Sequence, residues 1–218
     1  MEKEFRKGKE HKKKMEWYKH ELAKEGTKQD IQSILAPFLG DKVKDIFVEY
    51  PDLKNYMNLD ELLPNRDFDC KVILIENNRD IYYSGGTKHE EISGHWTCII
   101  RQPNDQFSYY DSFGLRWDQE FRYIPETVQC ELHEREHFLS EIIRASPEYN
   151  VKWSDVQMQY DSPDISTCWR HVAIRIIYAK IGMTNEQYED KMLELQDMTP
   201  DIPSDVIIVN MTKDFFIH

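Results

Sequence analysis

The sequence predicts an α+β fold, with helices flanking a mixed or antiparallel central sheet. Residues 71–76 form a continuous apolar run of the kind found in strands that are buried in a sheet. Residues 96–101 and 107–111 are two further strand-like stretches, and the turn at residues 103–105 between them indicates a β-hairpin. Helical segments precede and follow these strands, and this order of elements indicates the α+β class.

The other elements follow from the spacing of apolar residues and from Gly and Pro breakers. Helices are predicted at residues 1–25 (with a first half that is either helical or disordered), 28–38, 127–145, 169–181 and 185–198, and short helical or irregular pieces at residues 41–50 and 59–63. Further strands are predicted at residues 151–159 and 206–209, and a polar loop at residues 77–93.

Charge is spread unevenly along the 218-residue chain. The net charge of −12 argues against a body that coats nucleic acid, but residues 1–15 hold seven basic and three acidic side chains, a net +4 that leaves −16 on the remainder. We therefore predict a basic N-terminal helical arm or extension at residues 1–40 and a single domain at residues 41–218. Such an arm can bind a polyanion, although a solvated helix end gives the same pattern.

The four cysteines favour a reducing compartment. Cys70, Cys98, Cys130 and Cys168 include no CxxC pair, so zinc binding through paired cysteines is not supported, and no metal or other cofactor is predicted. No apolar run approaches the roughly 20 residues that a membrane span needs, and the charged N-terminus lacks the apolar core of a signal peptide. The sequence thus predicts a soluble protein that is neither membrane-bound nor secreted.

Cys168 has the placement of an activated cysteine nucleophile. Residues 169–181 predict an amphipathic helix, and Thr167 after Ser166 is a candidate N-cap, so the Cys168 sulfur would lie in the first helical turn. Backbone N–H groups and the positive end of the helix dipole favour a thiolate there. An inert buried cysteine can occupy the same place, so this stretch alone leaves both interpretations open.

A thiol nucleophile needs a general base, a group that orients the base and a donor for the oxyanion. His95 begins one strand of the predicted hairpin and Asp111 ends the other, so antiparallel pairing brings both to the same end. This arrangement predicts His95 as the base and Asp111 as its orienting acid. Gln157 and Gln159 lie on one face of the predicted strand before Cys168, and either amide could donate to the oxyanion.

Two other motifs offer competing chemistry. His133 and His137 belong to an H-E-x-x-H sequence, which is the helix signature of zinc proteases, but no Gly or third His of the extended pattern follows. A solvated face of a charged helix is the favoured interpretation of this motif. His171 is the i+3 neighbour of Cys168, yet it has no evident orienting group, so structural packing or a surface charge is favoured for it.

Several of these motifs occur together in the order seen in the adenain-like cysteine proteases. This family comprises the maturation proteases of adenoviruses, with relatives in virophages and other large DNA viruses and distant kin among the proteases of ubiquitin-like proteins. The shared motifs are Gly94-His95-Trp96, Tyr110-Asp111-Ser112-Phe113-Gly114, Gln159, and Thr167-Cys168 with a helix behind. Residues 58–182 resemble the family, and the remainder of the chain lies outside the resemblance.

The resemblance implies a papain-like or adenain-like cysteine protease fold with the nucleophile at a helix N-terminus, so that residues 41–218 would form the protease domain. It implies that Cys168 is the nucleophile, His95 the base, Asp111 the orienting acid and Gln159 the oxyanion donor, with Gln157 as second choice for that role.

Two tryptophans are candidate substrate contacts by the same resemblance. Trp96 would pack beside the catalytic pair. Trp169 occupies the position after the cysteine where the family usually has Gly, which lets substrate or backbone approach closely. An indole at this position is expected to narrow the substrate cleft.

The function implied is an endopeptidase that cleaves viral capsid and structural precursor proteins, in the virion or at the virus assembly site of the host cell. DNA or a peptide activator, as in the adenoviral relatives, would bind through the basic arm. Two alternatives remain: a protease that deconjugates ubiquitin-like or SUMO-like proteins, and a catalytically silent homologue that binds capsid or DNA.

Overall fold

A computed structural model describes the backbone of residues 2–84 and 87–216 and the side chains of residues 12–78 and 93–216. Its five-stranded sheet has the order β1-β2-β3-β4-β5. The strands are β1 Phe47–Glu49, β2 Asp69–Ser84, β3 Thr87–Gln102, β4 Gln106–Tyr110 and β5 Val151–Trp153. β1 is parallel to β2 and β5 is parallel to β4, whereas β2, β3 and β4 pair antiparallel. The sheet is mixed and helices flank it, which confirms the predicted α+β class.

The helix bounds agree best with the prediction where the sequence has both an N-cap signal and a clear helical spacing of apolar residues. They are α1 Glu2–Ala23, α2 Lys28–Leu39, α3 Leu59–Leu62, α4 Glu126–Glu131, α5 Phe138–Arg144, α6 Cys168–Lys180, α7 Asn185–Met198 and α8 Ser204–Thr212. The α7 bounds match those predicted, because Thr184 forms a capping box with Gln187 at its start. None of the helices in the described part of the chain is both long enough and apolar enough to cross a bilayer.

The sheet is buried on both faces, and successive strand residues enter apolar clusters on opposite faces. In β2, Val72 belongs to one cluster and Ile73 to the other, and Cys98 and Ile99 of β3 divide in the same way. Side chains from α2, α6, α7 and α8 complete the first cluster, and side chains from α3 and α5 contribute to the second. The apolar run at residues 71–76 follows from this arrangement, since a strand covered on both faces has no solvent side.

The predicted polar loop at residues 77–93 is instead the outer part of a long hairpin. β2 and β3 remain paired as far as Ser84 and Thr87, with a register shift between Glu76 and Asn78. The prediction was wrong because strand pairing is made by backbone groups, which polar side chains leave unchanged. Gly85 and Gly86, on which the loop prediction was centred, lie outside the described residues.

The predicted helix at residues 127–145 is broken into α4 and α5. Between them His133 has a φ of +59°, and Glu134 is buried and accepts a hydrogen bond from the backbone N–H of Glu76 at 3.0 Å. A left-handed backbone conformation cannot continue an α-helix. The tertiary contact of Glu134 thus accompanies a break that the sequence pattern did not indicate.

Two predicted strands were also wrong, wholly or in part. The strand at residues 151–159 ends at Trp153, and the following residues form an irregular loop. Residues 206–209 are helical within α8, whose buried residues Asp205, Ile208, Val209 and Thr212 follow the helical i, i+3, i+4, i+7 spacing. Taken by themselves, the apolar residues 206–209 have no distinguishing period.

The N-terminal segment packs against the rest of the protein. Ile31, Ile34 and Leu35 of α2 are fully buried in the first cluster, and the Leu22 carbonyl at the end of α1 accepts a hydrogen bond from the Ser166 N–H at 2.7 Å. The predicted boundary at residue 40 therefore has buried contacts on its N-terminal side, and the division into an arm and a domain stays a prediction. This boundary was predicted from the distribution of charged residues along the chain. That distribution indicates the exposed residues of α1 but does not reveal the apolar face of α2.

Gly26, between α1 and α2, has no room for a side chain. A Cβ atom at this position would lie 2.0 Å from Cγ of Trp169, well inside van der Waals contact. We expect Gly26→Ala to lower the free energy of unfolding by about 2 kcal/mol, as overpacked sites do. The same change in a Trp169→Ala background should cost far less, because the clashing ring is gone. Urea unfolding of the four proteins measures this, and equal costs in both backgrounds would contradict the packing.

Candidate active site

Cys168 is the first residue of α6 and is 4% exposed. Thr167 occupies the N-cap position as predicted, but its hydroxyl does not cap the helix. It donates instead to the carboxylate of Asp205 at the start of α8. The backbone N–H groups of the first turn of α6 thus have no side-chain cap at Thr167, and the sulfur lies at the positive end of the helix dipole.

His95 and Asp111 meet at one end of the β3–β4 hairpin. Cys98 pairs with Tyr110 in the hairpin register, so His95 on β3 and Asp111 just after β4 lie at the same end. Nε2 of His95 is 3.1 Å from Oδ1 of Asp111, and both side chains are buried. The prediction that hairpin pairing brings these two side chains together is therefore confirmed.

Phe113 holds this pair from two sides. Its backbone N–H donates to Oδ1 of Asp111 at 2.7 Å, which fixes the carboxylate. Its ring stacks on the imidazole of His95, with ring centroids 4.8 Å apart and an interplanar angle of 25°. The aromatic residue that follows Asp111 by two positions therefore orients both the acid and the base.

The surroundings of His95 favour its protonated form. Burial alone lowers the pKa of His95, but the Asp111 charge, its contact with the ring and the interaction with the Cys168 side chain outweigh burial and hold the pKa well above the ordinary value of 6.5. A thiolate paired with an imidazolium that is held by a carboxylate is the arrangement that activates cysteine nucleophiles.

Glu120 is a further acidic residue beside His95 and Asp111, and it was not predicted from the sequence. Single ligand atoms of His95, Asp111 and Glu120 lie within 4.8 Å of one another, close enough to share a metal ion. Burial raises the pKa of Glu120, and Asp111 raises it further while His95 lowers it. Two carboxyl groups around one imidazole favour the imidazolium form by charge alone. Glu120 belongs to a short 3₁₀ turn, Glu120–Arg122, and no spacing in the sequence relates it to His95.

Gln159 is fixed within the loop between β5 and α6. Its Oε1 accepts a hydrogen bond from the Ser112 hydroxyl at 2.8 Å, and its Nε2 donates to the Ile165 carbonyl at 3.3 Å. Gln157 is exposed, and its Nε2 donates to the backbone carbonyl of Gln159 at 2.9 Å. The two glutamines do not share the face of a strand, as predicted, because the strand ends at Trp153.

A cleft of about 900 Å³ opens beside Cys168. Its described lining includes Trp96, and the linker between α1 and α2 contributes Gly26 and Thr27. The indole N–H of Trp96 donates to the Gly26 carbonyl at 2.9 Å. Trp96 therefore lies at the cleft as expected, with its ring held by the N-terminal segment.

Trp169 differs from its expected place. It is fully buried, and its indole N–H donates to the carbonyl oxygens of Lys24 and Ser166 at 3.1 and 2.9 Å. Its ring packs against Phe216 with centroids 5.8 Å apart. Trp169 is not among the described residues that line the cleft. The expectation that its indole narrows the cleft is therefore not met. The side chain of a first-turn residue points back and sideways from the helix, here into the core.

Of the two competing motifs, H-E-x-x-H does not form a metal-binding helix face, whereas His171 has an orienting acid that the sequence did not show. His133 and His137 flank the break between α4 and α5, so they are not i, i+4 neighbours on a helix face. His171 is fully buried one turn behind Cys168, with Nε2 3.3 Å from Oδ1 of Asp205. The predicted surface charge at His171 is thus wrong, and the predicted structural packing is confirmed.

The fold and the site define an α+β protein in which a buried imidazole and a buried carboxylate pair at the end of a hairpin, and a buried cysteine begins a helix that packs on the same sheet. No protein-family model matches the chain. The chain is similar to a protein of the Sputnik virophage named "Uncharacterized protein V9"; the two are 25% identical over 161 residues, which is 71% of this chain and 80% of the virophage protein. The similarity relates the chain to a virophage protein, and the relative's name carries no activity.

Asp111→Asn keeps the size of the side chain but removes the charge that raises the pKa of His95. The stabilisation from a raised histidine pKa is fully present below the ordinary pKa of about 6.5 and is lost as the pH rises through the raised value. We expect the variant to lose about 3 kcal/mol of unfolding free energy near pH 6, and the loss to shrink at higher pH.

Urea unfolding at a series of pH values measures this difference. Asp164→Asn is the control, because Asp164 is exposed and its loss should change stability little at any pH. A loss in Asp111→Asn that is the same at all pH values would show that the carboxylate does not act through the charge of His95.

Proposed function

We propose that this protein is a cysteine endopeptidase of the adenain-like type. The observation that carries the proposal is the buried His95 imidazole, whose Nε2 lies 3.1 Å from Oδ1 of Asp111 and whose pKa is raised by the side chains of Asp111 and Cys168, the first residue of α6. The nucleophile, base and orienting acid thereby come from three separate parts of the chain, as such a catalytic group requires.

In the proposed mechanism Cys168 reacts as a thiolate paired with the His95 imidazolium, and the sulfur forms a bond to the carbon of the scissile amide. The carbonyl electron pair moves to oxygen, which becomes the oxyanion. As the oxyanion collapses, the C–N bond breaks, and His95 gives its proton to the leaving amine. Water then attacks the thioester, His95 takes a proton from it, and Cys168 leaves.

Gln159 is the proposed oxyanion donor. Its side-chain oxygen is held by Ser112, and one N–H of its amide group points toward the Ile165 carbonyl, which leaves the second N–H to meet the oxyanion. The backbone N–H of Cys168 is the second donor, since first-turn N–H groups have no partner within the helix. A donor fixed beforehand stabilises the developing charge without reorganisation.

Viral capsid and structural precursors are the proposed substrates, cleaved during virion maturation at the assembly site or in the virion. The similarity to a virophage protein supports a viral setting. DNA or a peptide activator remains a candidate partner of the N-terminal segment, where Lys12, Lys13 and Lys14 are exposed.

Cys168→Ala tests the reaction directly. We expect the wild type to cleave capsid precursors encoded by the same virus, and Cys168→Ala to leave them intact, because the variant has no sulfur to form the acyl-enzyme. Gel electrophoresis and mass spectrometry of the products measure cleavage. Cys130→Ala is the matched control, since Cys130 is an exposed cysteine away from the site and its loss should not reduce cleavage.

Iodoacetamide labelling separates an enzyme from a silent homologue. At mildly acidic pH an activated Cys168 should react faster than Cys130, and His95→Ala should remove that advantage. Labelling of Cys168 no faster than that of Cys130 would favour a silent capsid-binding or DNA-binding protein. Cleavage of ubiquitin-like conjugates, with capsid precursors untouched, would favour the deconjugating alternative.

Gln159→Ala tests the oxyanion donor. We expect kcat to fall by about 100- to 1,000-fold with little change in KM, because the lost donor acts on charge that develops in the transition state. Gln157→Ala is the matched control and should change kcat less than about threefold, since Gln157 is exposed. Steady-state kinetics on a peptide from a mapped cleavage site measure both. Equal effects of the two changes would remove Gln159 from the role.

A further inference from the structure

The loop between β5 and α6 connects the proposed oxyanion donor to the proposed nucleophile. Gln159 lies near its beginning, and Thr167 at its end directly precedes Cys168. Between them the described residues 160–166 form no helix or strand that would fix the distance between the two ends. Another part of the chain must therefore hold the loop if Gln159 and Cys168 are to keep a defined separation.

Asp205, in the first turn of α8, contacts both ends of this loop. Its Oδ2 accepts a hydrogen bond from the backbone N–H of Tyr160 at 2.9 Å, and its Oδ1 accepts one from the Thr167 hydroxyl. One carboxylate thus joins the residue after Gln159 to the residue before Cys168. The neighbouring Ser204 hydroxyl donates to the Met158 carbonyl, so α8 holds the loop on both sides of Gln159.

The Asp205 carboxylate is buried, and its contacts favour its charged form. The side chain is fully enclosed, and His171 places Nε2 3.3 Å from Oδ1. Burial acts to raise the pKa of Asp205, but His171, the Thr167 hydroxyl and the Tyr160 N–H together hold it below its ordinary value. Hydrogen bonds to an ionised acceptor are about twice as strong as neutral ones, so a charged Asp205 fixes both loop ends firmly.

We infer that Asp205 is a positioning residue for the proposed reaction, acting through Thr167 and Tyr160, with His171 fixing its carboxylate. This inference rests on the proposed function. Asp205 touches neither substrate nor the sulfur. It sets where the sulfur and the Gln159 amide stand relative to each other, and errors of about 1 Å in such a separation cost about 100-fold in rate.

Thr167 provides the most direct test, because Val and Ser differ in whether they can donate the hydrogen bond to Asp205. Thr167→Val keeps the shape and loses the hydroxyl, whereas Thr167→Ser keeps the hydroxyl. We expect Thr167→Val to lower kcat by about 100-fold with KM within about threefold, and Thr167→Ser to retain most of kcat. Asp205→Asn should resemble Thr167→Val, and Asp201→Asn, at an exposed residue before α8, should resemble the wild type.

A second measurement, the rate of iodoacetamide labelling at Cys168, does not depend on peptide cleavage. We expect labelling to slow by about fivefold or more in Thr167→Val and Asp205→Asn and to stay unchanged in Thr167→Ser. If the wild type cleaves no peptide but the labelling rates follow this order, the proposed function fails and the positioning of Cys168 stands.

Equal kcat and labelling rates in Thr167→Val and Thr167→Ser would overturn the inference. The inference would also be overturned if the activity lost in Asp205→Asn equals the fraction of protein that is unfolded. Circular dichroism at the assay temperature measures that fraction. Such results would make Asp205 a group that stabilises the fold without setting the geometry of the site.

Discussion

The packing of α6 against the sheet is the interaction on which the remainder of the site depends. Val172 and Ile176 of α6 share one apolar cluster with Val72 of β2 and Cys98 of β3. Close-packed interiors tolerate little sliding of one element on another, so this contact fixes how far the helix start lies from the hairpin. Since Cys168 begins the helix and His95 lies at the end of the hairpin, the separation of thiol and imidazole is set by core packing.

The parts of the fold that could be predicted are those specified by local chemistry. The β3–β4 hairpin followed from two apolar stretches and a turn, and it alone implied that His95 and Asp111 share one end. The start of α7 followed from the Thr184 cap. In each case a few neighbouring residues determine the structure, so a single sequence contains the necessary information.

The parts that could not be predicted depend on distant contacts. The α4–α5 break accompanies the hydrogen bond from Glu76 to Glu134, and the place of Gln159 depends on Ser112 rather than on a strand. Glu120 joins the site through tertiary folding, with no motif of its own. The helical spacing of α8 was present in the sequence, but it emerges only when polar Asp205 and Thr212 are counted with the buried residues.

The enclosure of Trp169 has a consequence for how the protein is made. Its indole lies between the 24–26 segment and Phe216, two parts of the chain that are far apart in sequence and are synthesised at different times. The surroundings of the helix start are therefore complete only once both of these parts have been synthesised, and contacts of such long sequence separation form slowly. A chain that lacks either the 24–26 segment or Phe216 therefore leaves Trp169, the residue next to Cys168, only partly enclosed.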